Sequence, residues 1–421
     1  MKTYLLLFAL SFGTYLFAQS DNVFLDRAYW KKQPSLAQVQ SDFKAGNDPA
    51  AFNEHKFDAV TWAILENASE EVVWFLLHQE GNDVNKRAHD GRTPIFWAAY
   101  KNNVELMKSL IEKGARTDLL DSHGYSLVNF VALTGQINLE LYELCISEGA
   151  NLKKERTSDG ATPLLLILPH LESTDMIDYF TSKGLNLEDT DNEGNNAFVY
   201  AAKSGNEHIM TYLLDAGILP NVNNSAAVLF ASQGMRGKKN TVETFNYLKS
   251  KGLSMDATNS EGQNALHFLA SNGQDREVFH FFFEEGLSMN TPDSNGQTPY
   301  FNAFEHNKPE IISFLLSKEA LQGTTTNAEG ENVIHLATKR GDAKVLRLAI
   351  DNENGINVLS EVGLTPLHIA AMKSKDFELI EILLKAGADP TVQTPFEETA
   401  FDLANENNWL EDKERIQELL N

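Results

Sequence analysis

A single cysteine, Cys145, serves the whole 421-residue chain, so no intramolecular disulfide can staple the fold. Its stability has to come from packing. Long apolar runs are equally scarce. After the first twenty residues, no stretch stays apolar for the roughly 18 positions a membrane-spanning helix needs. Positive charge is short as well: 35 Lys and Arg stand against 59 Asp and Glu, a formal net charge of −24. Such an excess repels phosphates, which argues against nucleic acid or an anionic membrane as partner. It is compatible with a cationic protein partner, and equally with a role in solubility alone. Also missing are HExxH, paired CxxC, an EF-hand loop, a Walker loop, a dinucleotide fingerprint and a nucleophile elbow. No metal and no cofactor are expected, and the chain reads as a non-enzymatic protein.

What is present begins at the N-terminus. The stretch MKTYLLLFALSFGTYLFAQS has one Lys, an apolar run, and small Ala18 before Gln19. This is the pattern of a secretory signal peptide spanning 1–18 and cut between Ala18 and Gln19; an uncleaved membrane anchor is the competing reading. No cysteine sits at the cleavage site to take a lipid. The mature protein is therefore expected outside the cytoplasm, in a bacterial periplasm or secreted, free of the membrane and monomeric.

The rest of the chain repeats itself. Helix-capping residues fall at Asp58, Thr93, Ser126, Thr162, Asn196, Asn264, Thr298, Asn332, Thr365 and Thr399. Their steps are 33 to 36 residues, apart from one step of 68 that spans two periods. All are Ser, Thr, Asp or Asn, whose side-chain oxygens accept from otherwise orphaned N–H groups at a helix start. Small residues follow (Ala98-Ala99, Ala201-Ala202, Ala370-Ala371), and then a second helix with apolar residues at i, i+3, i+4 and i+7, such as Val104, Met107, Leu110 and Ile111. A stop glycine and a turn rich in Asp, Asn, Ser and Gly lead to the next cap. The unit is helix, turn, helix, protruding β-turn.

Thr365–Ala370 (TPLHIA), with partial forms at Thr93–Ala98 (TPIFWA), Thr298–Ala303 (TPYFNA), Asn264–Ala270 (NALHFLA) and Asn332–Ala337 (NVIHLA), resembles the ankyrin-repeat signature. The resemblance implies an all-α, ankyrin-type solenoid of helix-turn-helix repeats with short β-turn or hairpin projections. On that reading residues 19–50 form N-terminal capping helices, 51–391 hold about ten repeats, and 392–421 form a C-terminal capping repeat. The unit at 221–257 is degenerate: its turn lacks glycine and its helices are linked by a basic insertion, Gly234-Met-Arg-Gly-Lys-Lys239.

His267, His335 and His368 share one repeat position, and the resemblance implies that each bonds backbone between neighbouring repeats rather than a metal. In the run HFFFEEG, Phe279, Phe282 and Phe283 match the core pattern and Phe281 is expected to be partly exposed; Trp62, Trp74 and Trp97 fit faces packed between repeats. Cys145 lies on an apolar helix pattern and is expected to be buried and inert. The resemblance further implies partner binding along a concave face lined by turn tips and the ends of first helices. Carried over to this sequence, that face includes His89, Asp90, Arg92, Tyr100 and Lys101. The following units add His123, Tyr125, Glu193, Asn195 and Lys203. Later ones add Glu261, Asn295, Glu305, His306, Glu329, Lys339, Met372 and Lys373. The function implied is a protein-binding scaffold outside the cytoplasm. An inhibitor or immunity-type protein that occludes a toxin or enzyme is the alternative, and a cryptic hydrolase the remote one.

Overall fold

The computed structural model describes residues 22–321 and 325–421; the expected signal segment and the Ala18–Gln19 cut lie outside these. The chain divides into two compact units, one ending at Ser158 and one beginning at Asp159. Among the described residues the regular structure is helical, and extended pairing is limited to isolated bridges such as Met235–Lys238 and Thr258–Asn264.

The first unit opens with a 3-10 turn at Val23–Leu25 and helices Arg27–Lys31 and Leu36–Lys44. Phe24 and Trp30 are fully buried there, and the Trp30 indole N–H donates to the Phe24 carbonyl at 2.9 Å. Three helix pairs follow: Ala59–Leu65 with Glu70–Leu77, Pro94–Tyr100 with Val104–Glu112, and Leu127–Leu133 with Leu139–Ser147.

The second unit contains eight pairs, from Pro163–Ile167 with Asp175–Ser182 to Ala400–Glu406 with Lys413–Leu420. In both units the first helix of a pair is the inner one. Pro94 to Ala99 and Ala197 to Ala202 are buried at every position, because inner helices of adjacent repeats pack on both sides. Alanines make that approach possible. The outer helices bury one stripe, as Val104, Leu106, Met107 and Leu110 do.

All ten capping residues read from the sequence sit at the N-cap of an inner helix. Nine accept a backbone N–H through the side chain; at Thr93 no such bond forms, and its buried hydroxyl has no partner. The three histidines also stand where expected. Each imidazole Nδ1 accepts the N–H of its own cap residue, Asn264, Asn332 or Thr365, at 3.0 to 3.3 Å. Each Nε2 then donates to a carbonyl of the following repeat: His267 to Gln297, His335 to Leu364 and His368 to Val392.

Two aromatic expectations are corrected. Phe281 is only 8% exposed, wedged between Phe245 and Phe282, while Phe283 is the half-buried one. The outer helix of that pair is contacted by the neighbouring outer helix as well as by its own inner helix, which widens its buried stripe by one position. Trp74 is also only half-buried: its indole N–H bonds Glu70 at 2.9 Å rather than packing between repeats. Trp62 and Trp97 are buried.

Candidate protein-binding face

Five of the turn tips are each built by one acid or amide. The Oδ1 of Asp121 accepts the N–H of His123 and of Tyr125, both at 2.9 Å. Asp191, Asn259, Asp293 and Asn327 repeat this on the residues two and four places on. The loop is thereby closed by a side chain mimicking a backbone turn. Adjacent tips are then joined by one backbone bond: Ser122 N–H to Asp90, Asn192 to Asp159, Ser294 to Glu261, Ala328 to Asn295 and Glu361 to Glu329, at 2.8 to 2.9 Å. Close approach needs glycine here. Gly330 has φ +70°, and a Cβ on it would stand 2.8 Å from the Glu361 nitrogen.

In the first unit these tips hold a charged and aromatic cluster. Arg92 bonds Asp90 at 2.8 Å and Asp121 at 3.0 Å, and its guanidinium lies 4.5 Å above the Phe130 ring. His89 stacks on Phe57 with centroids 4.0 Å apart and lies 3.4 Å from Asp90; His123 approaches the same carboxylate at 3.6 Å. With its side chain 12% exposed, Arg92 is a strut between tips more than a contact. His89, Asp90, Lys101 and Tyr125 are half-buried, whereas His123 and Tyr100 are exposed. Tyr100, at 44%, rests its ring on Trp97 and Phe130, with centroids 6.4 Å from each.

In the second unit Glu193, Glu261, Asn295 and Glu329 are exposed on tips, and His306, Lys339, Met372 and Lys373 at the ends of inner helices. Lys203 and Glu305 are half-buried. Burial disfavours the charge on both, pushing the Lys203 ammonium below its ordinary value and the Glu305 carboxyl above its own. Asn195 does not face solvent. It is 1% exposed and donates to Asp191 at 2.8 Å, while Tyr200 donates to that same carboxylate at 3.0 Å. A tip position one residue before the cap is drawn under the loop by the turn-forming acid.

The irregular unit departs from the others at both ends. Its inner helix, Ala226–Gln233, is capped by Ser225, which follows Asn196 by 29 residues and precedes Asn264 by 39. The tip is short and the link between its helices, residues 234–241, is long. Asn223, Asn224 and Ser225 all adopt positive φ, 46°, 51° and 61°, to turn the chain in the reduced space. Side-chain amides serve at this step: Asn223 donates to the Asn195 side chain at 2.8 Å and Asn224 to the Thr258 carbonyl at 3.2 Å. A notch of about 280 Å³ opens there, floored by Leu229, Phe230 and Phe268 and rimmed by Glu193, Asn223 and Ser260.

Sequence reasoning left this notch and one other feature unseen. Phe396 is 83% exposed on the tip beside Val362, itself 67% exposed. Phe396 stands in a turn, QTPFEET, at the position held by His123, Glu193, Glu261, Asn295, Glu329 and Val362 in other turns, and an aromatic residue there was the available signal. Among the described residues no group of three His, Cys, Asp or Glu side chains is placed to hold a metal ion, and no helix is long and apolar enough to cross a membrane.

The family model described as ankyrin repeats (3 copies) matches residues 60–152, 129–224, 231–325 and 317–394. Residues 225–230, between the second and third matches, begin the irregular inner helix. The chain is similar to human transient receptor potential cation channel subfamily A member 1, 23% identical over 77% of this chain and 33% of that protein. It is similar to mouse ankyrin and armadillo repeat-containing protein, 26% identical over 37% of this chain and 11% of that one. The Neurospora crassa ankyrin repeat protein nuc-2 is 25% identical over 36% of this chain and 14% of its own length. The chain thus spans a third or less of the length of these relatives. Tips, struts, capped inner helices and family match agree: the chain belongs to the ankyrin repeat family.

Proposed function

We propose that this chain is a non-enzymatic scaffold that binds a protein through its turn tips and the exposed ends of its inner helices, and that it does so outside the cytoplasm. The observation that carries the binding reading is the zipped row of tips. At five steps within the units one backbone bond holds neighbouring tips in fixed relation, so the side chains they carry are presented pre-organised, and little ordering entropy opposes association. Tyr100 supplies an amphipathic, half-exposed ring of the kind that anchors interfaces. The acidic balance favours a cationic partner. The export reading rests on residues 1–19 alone.

Affinity capture with the mature chain, followed by titration of the recovered partner, tests this. Tyr100→Ala should weaken that complex by more than about 1 kcal/mol while leaving Tm nearly unchanged. Unchanged affinity would move the contact off the first unit, and turnover of ester, glycoside, phosphate or peptide substrates by the pure protein would overturn the scaffold reading. Export is tested by N-terminal sequencing of protein recovered outside the cytoplasm, where a chain beginning at Met1 would refute the cut before Gln19.

A further inference from the structure

The irregular unit carries cavities at both ends of one inner helix. At the tip end is the notch floored by Phe230, with Glu193 exposed on its rim. At the other end the long link folds into a small hairpin, bridged between Met235 and Lys238, over a cavity of about 510 Å³. Gln233 lines both cavities, so the exposed side of Ala226–Gln233 connects them. The two ends differ in charge. Glu193 makes no ion pair among the described residues, and neither do Arg236 and Lys238, which stand exposed on the hairpin; Lys239 is held on the Gly273 carbonyl. Between them, the half-buried rings of Phe230 and Phe268 form an apolar floor.

We infer that the inner helix of the irregular unit is a dipolar docking groove for an extended protein segment in which a basic residue and an acidic residue bracket an apolar side chain. The inference rests on the protein-binding reading above and deepens it. The eight-residue helix is about 12 Å long. The charges stand beyond both ends of the helix, and an extended chain rises about 3.3 Å per residue, so the basic and acidic residues should be at least four positions apart. The apolar side chain between them seats on Phe230. At about 280 Å³ the notch has room for a side chain with part of its backbone and lies just under the usual range of small-molecule sites. Opposite charges at the two ends fix the segment's direction, and like charges facing either end would be repelled.

Three blocked peptides with a central Leu in a Gly/Ser frame test this by fluorescence anisotropy on the full chain at low salt. One carries Arg and Glu four residues apart, one carries Arg at both places, and one carries Glu at both. The mixed peptide should bind at least fivefold more tightly than either of the others. Glu193→Gln should abolish its advantage over the all-Glu peptide, and Arg236→Ala with Lys238→Ala its advantage over the all-Arg peptide. Phe230→Ala should weaken all three. Glu193, Arg236 and Lys238 are exposed, so those variants fold whatever the effect of Phe230→Ala. Tightest binding by the all-Arg peptide would overturn the dipolar groove while leaving a cationic-partner scaffold intact. Absence of binding by all three, with capture of a partner still dependent on Tyr100, would overturn the groove alone.

Discussion

The Nε2–H of His368 donates to the carbonyl oxygen of Val392 at 2.9 Å, while the ring's Nδ1 accepts the N–H of Thr365 at 3.0 Å. One neutral side chain thus closes its own helix start and ties it to the following repeat. Replacing it with alanine leaves the buried Thr365 N–H and the partly buried Val392 carbonyl unpaired. His368→Ala should cost about 2 to 4 kcal/mol in a urea titration, and partner binding through the first unit should be unaffected. A loss under about 0.5 kcal/mol would show that water takes over both bonds.

Acid should loosen the second unit through these same rings. Burial holds His267, His335 and His368 below the ordinary value of about 6.5 for a free imidazole. Between that value and the lower folded one, the unfolded chain binds more protons, so stability rises with pH there. The contribution is complete above about pH 6.5 and is lost as pH falls through the folded values. Urea midpoints measured from pH 8 to 5 should decline, and His335→Gln should flatten the decline. A variant with the wild-type slope would assign the effect to carboxylates.

Thr93 and Thr162 occupy equivalent caps but differ in chemistry. Thr162 accepts the Leu165 N–H at 3.1 Å, whereas the Thr93 hydroxyl is buried without a partner. Thr162→Val should therefore destabilise by about 1 kcal/mol. Thr93→Val, which removes a buried unpaired group at constant shape, should be neutral or stabilising. Thermal denaturation of the two variants decides it, and equal losses would refute the distinction.

Cys145 is 3% exposed, and burial pushes its thiol up to about 12. At pH 8 about one thiol in ten thousand would be ionised. Labelling by a disulfide reagent should be far slower in the folded chain than in urea, and its rate should follow local opening of the helix Leu139–Ser147. Immediate labelling of the native protein would contradict this burial.

The repeat was legible in the sequence because its markers are local. A cap residue and a stop glycine act within one turn of the chain, and all ten caps read from spacing occupy that place. The histidine struts were legible only through the family resemblance, since their acceptors lie 24 to 30 residues away. Exposure was harder. Phe281 and Phe283 differ by which neighbouring helix covers them, and Asn195 is hidden by a bond from its own loop; neither is visible to periodicity. The notch had a signal that went unread: only eight residues separate Gly217 from Ser225, where Gly252 and Asn264 are twelve apart. Treating the step of 68 as two equal periods concealed that the cap had moved.

The five backbone bonds between adjacent tips have a use beyond holding the loops together. Each belongs to a named amide, on Ser122, Asn192, Ser294, Ala328 or Glu361, and each crosses a single boundary between repeats. Their exchange rates with deuterated water would therefore form a built-in set of gauges, each timing how often one pair of neighbours parts company. A bound partner that bridges two tips would slow the clock at that boundary alone, and so give its own address on the molecule.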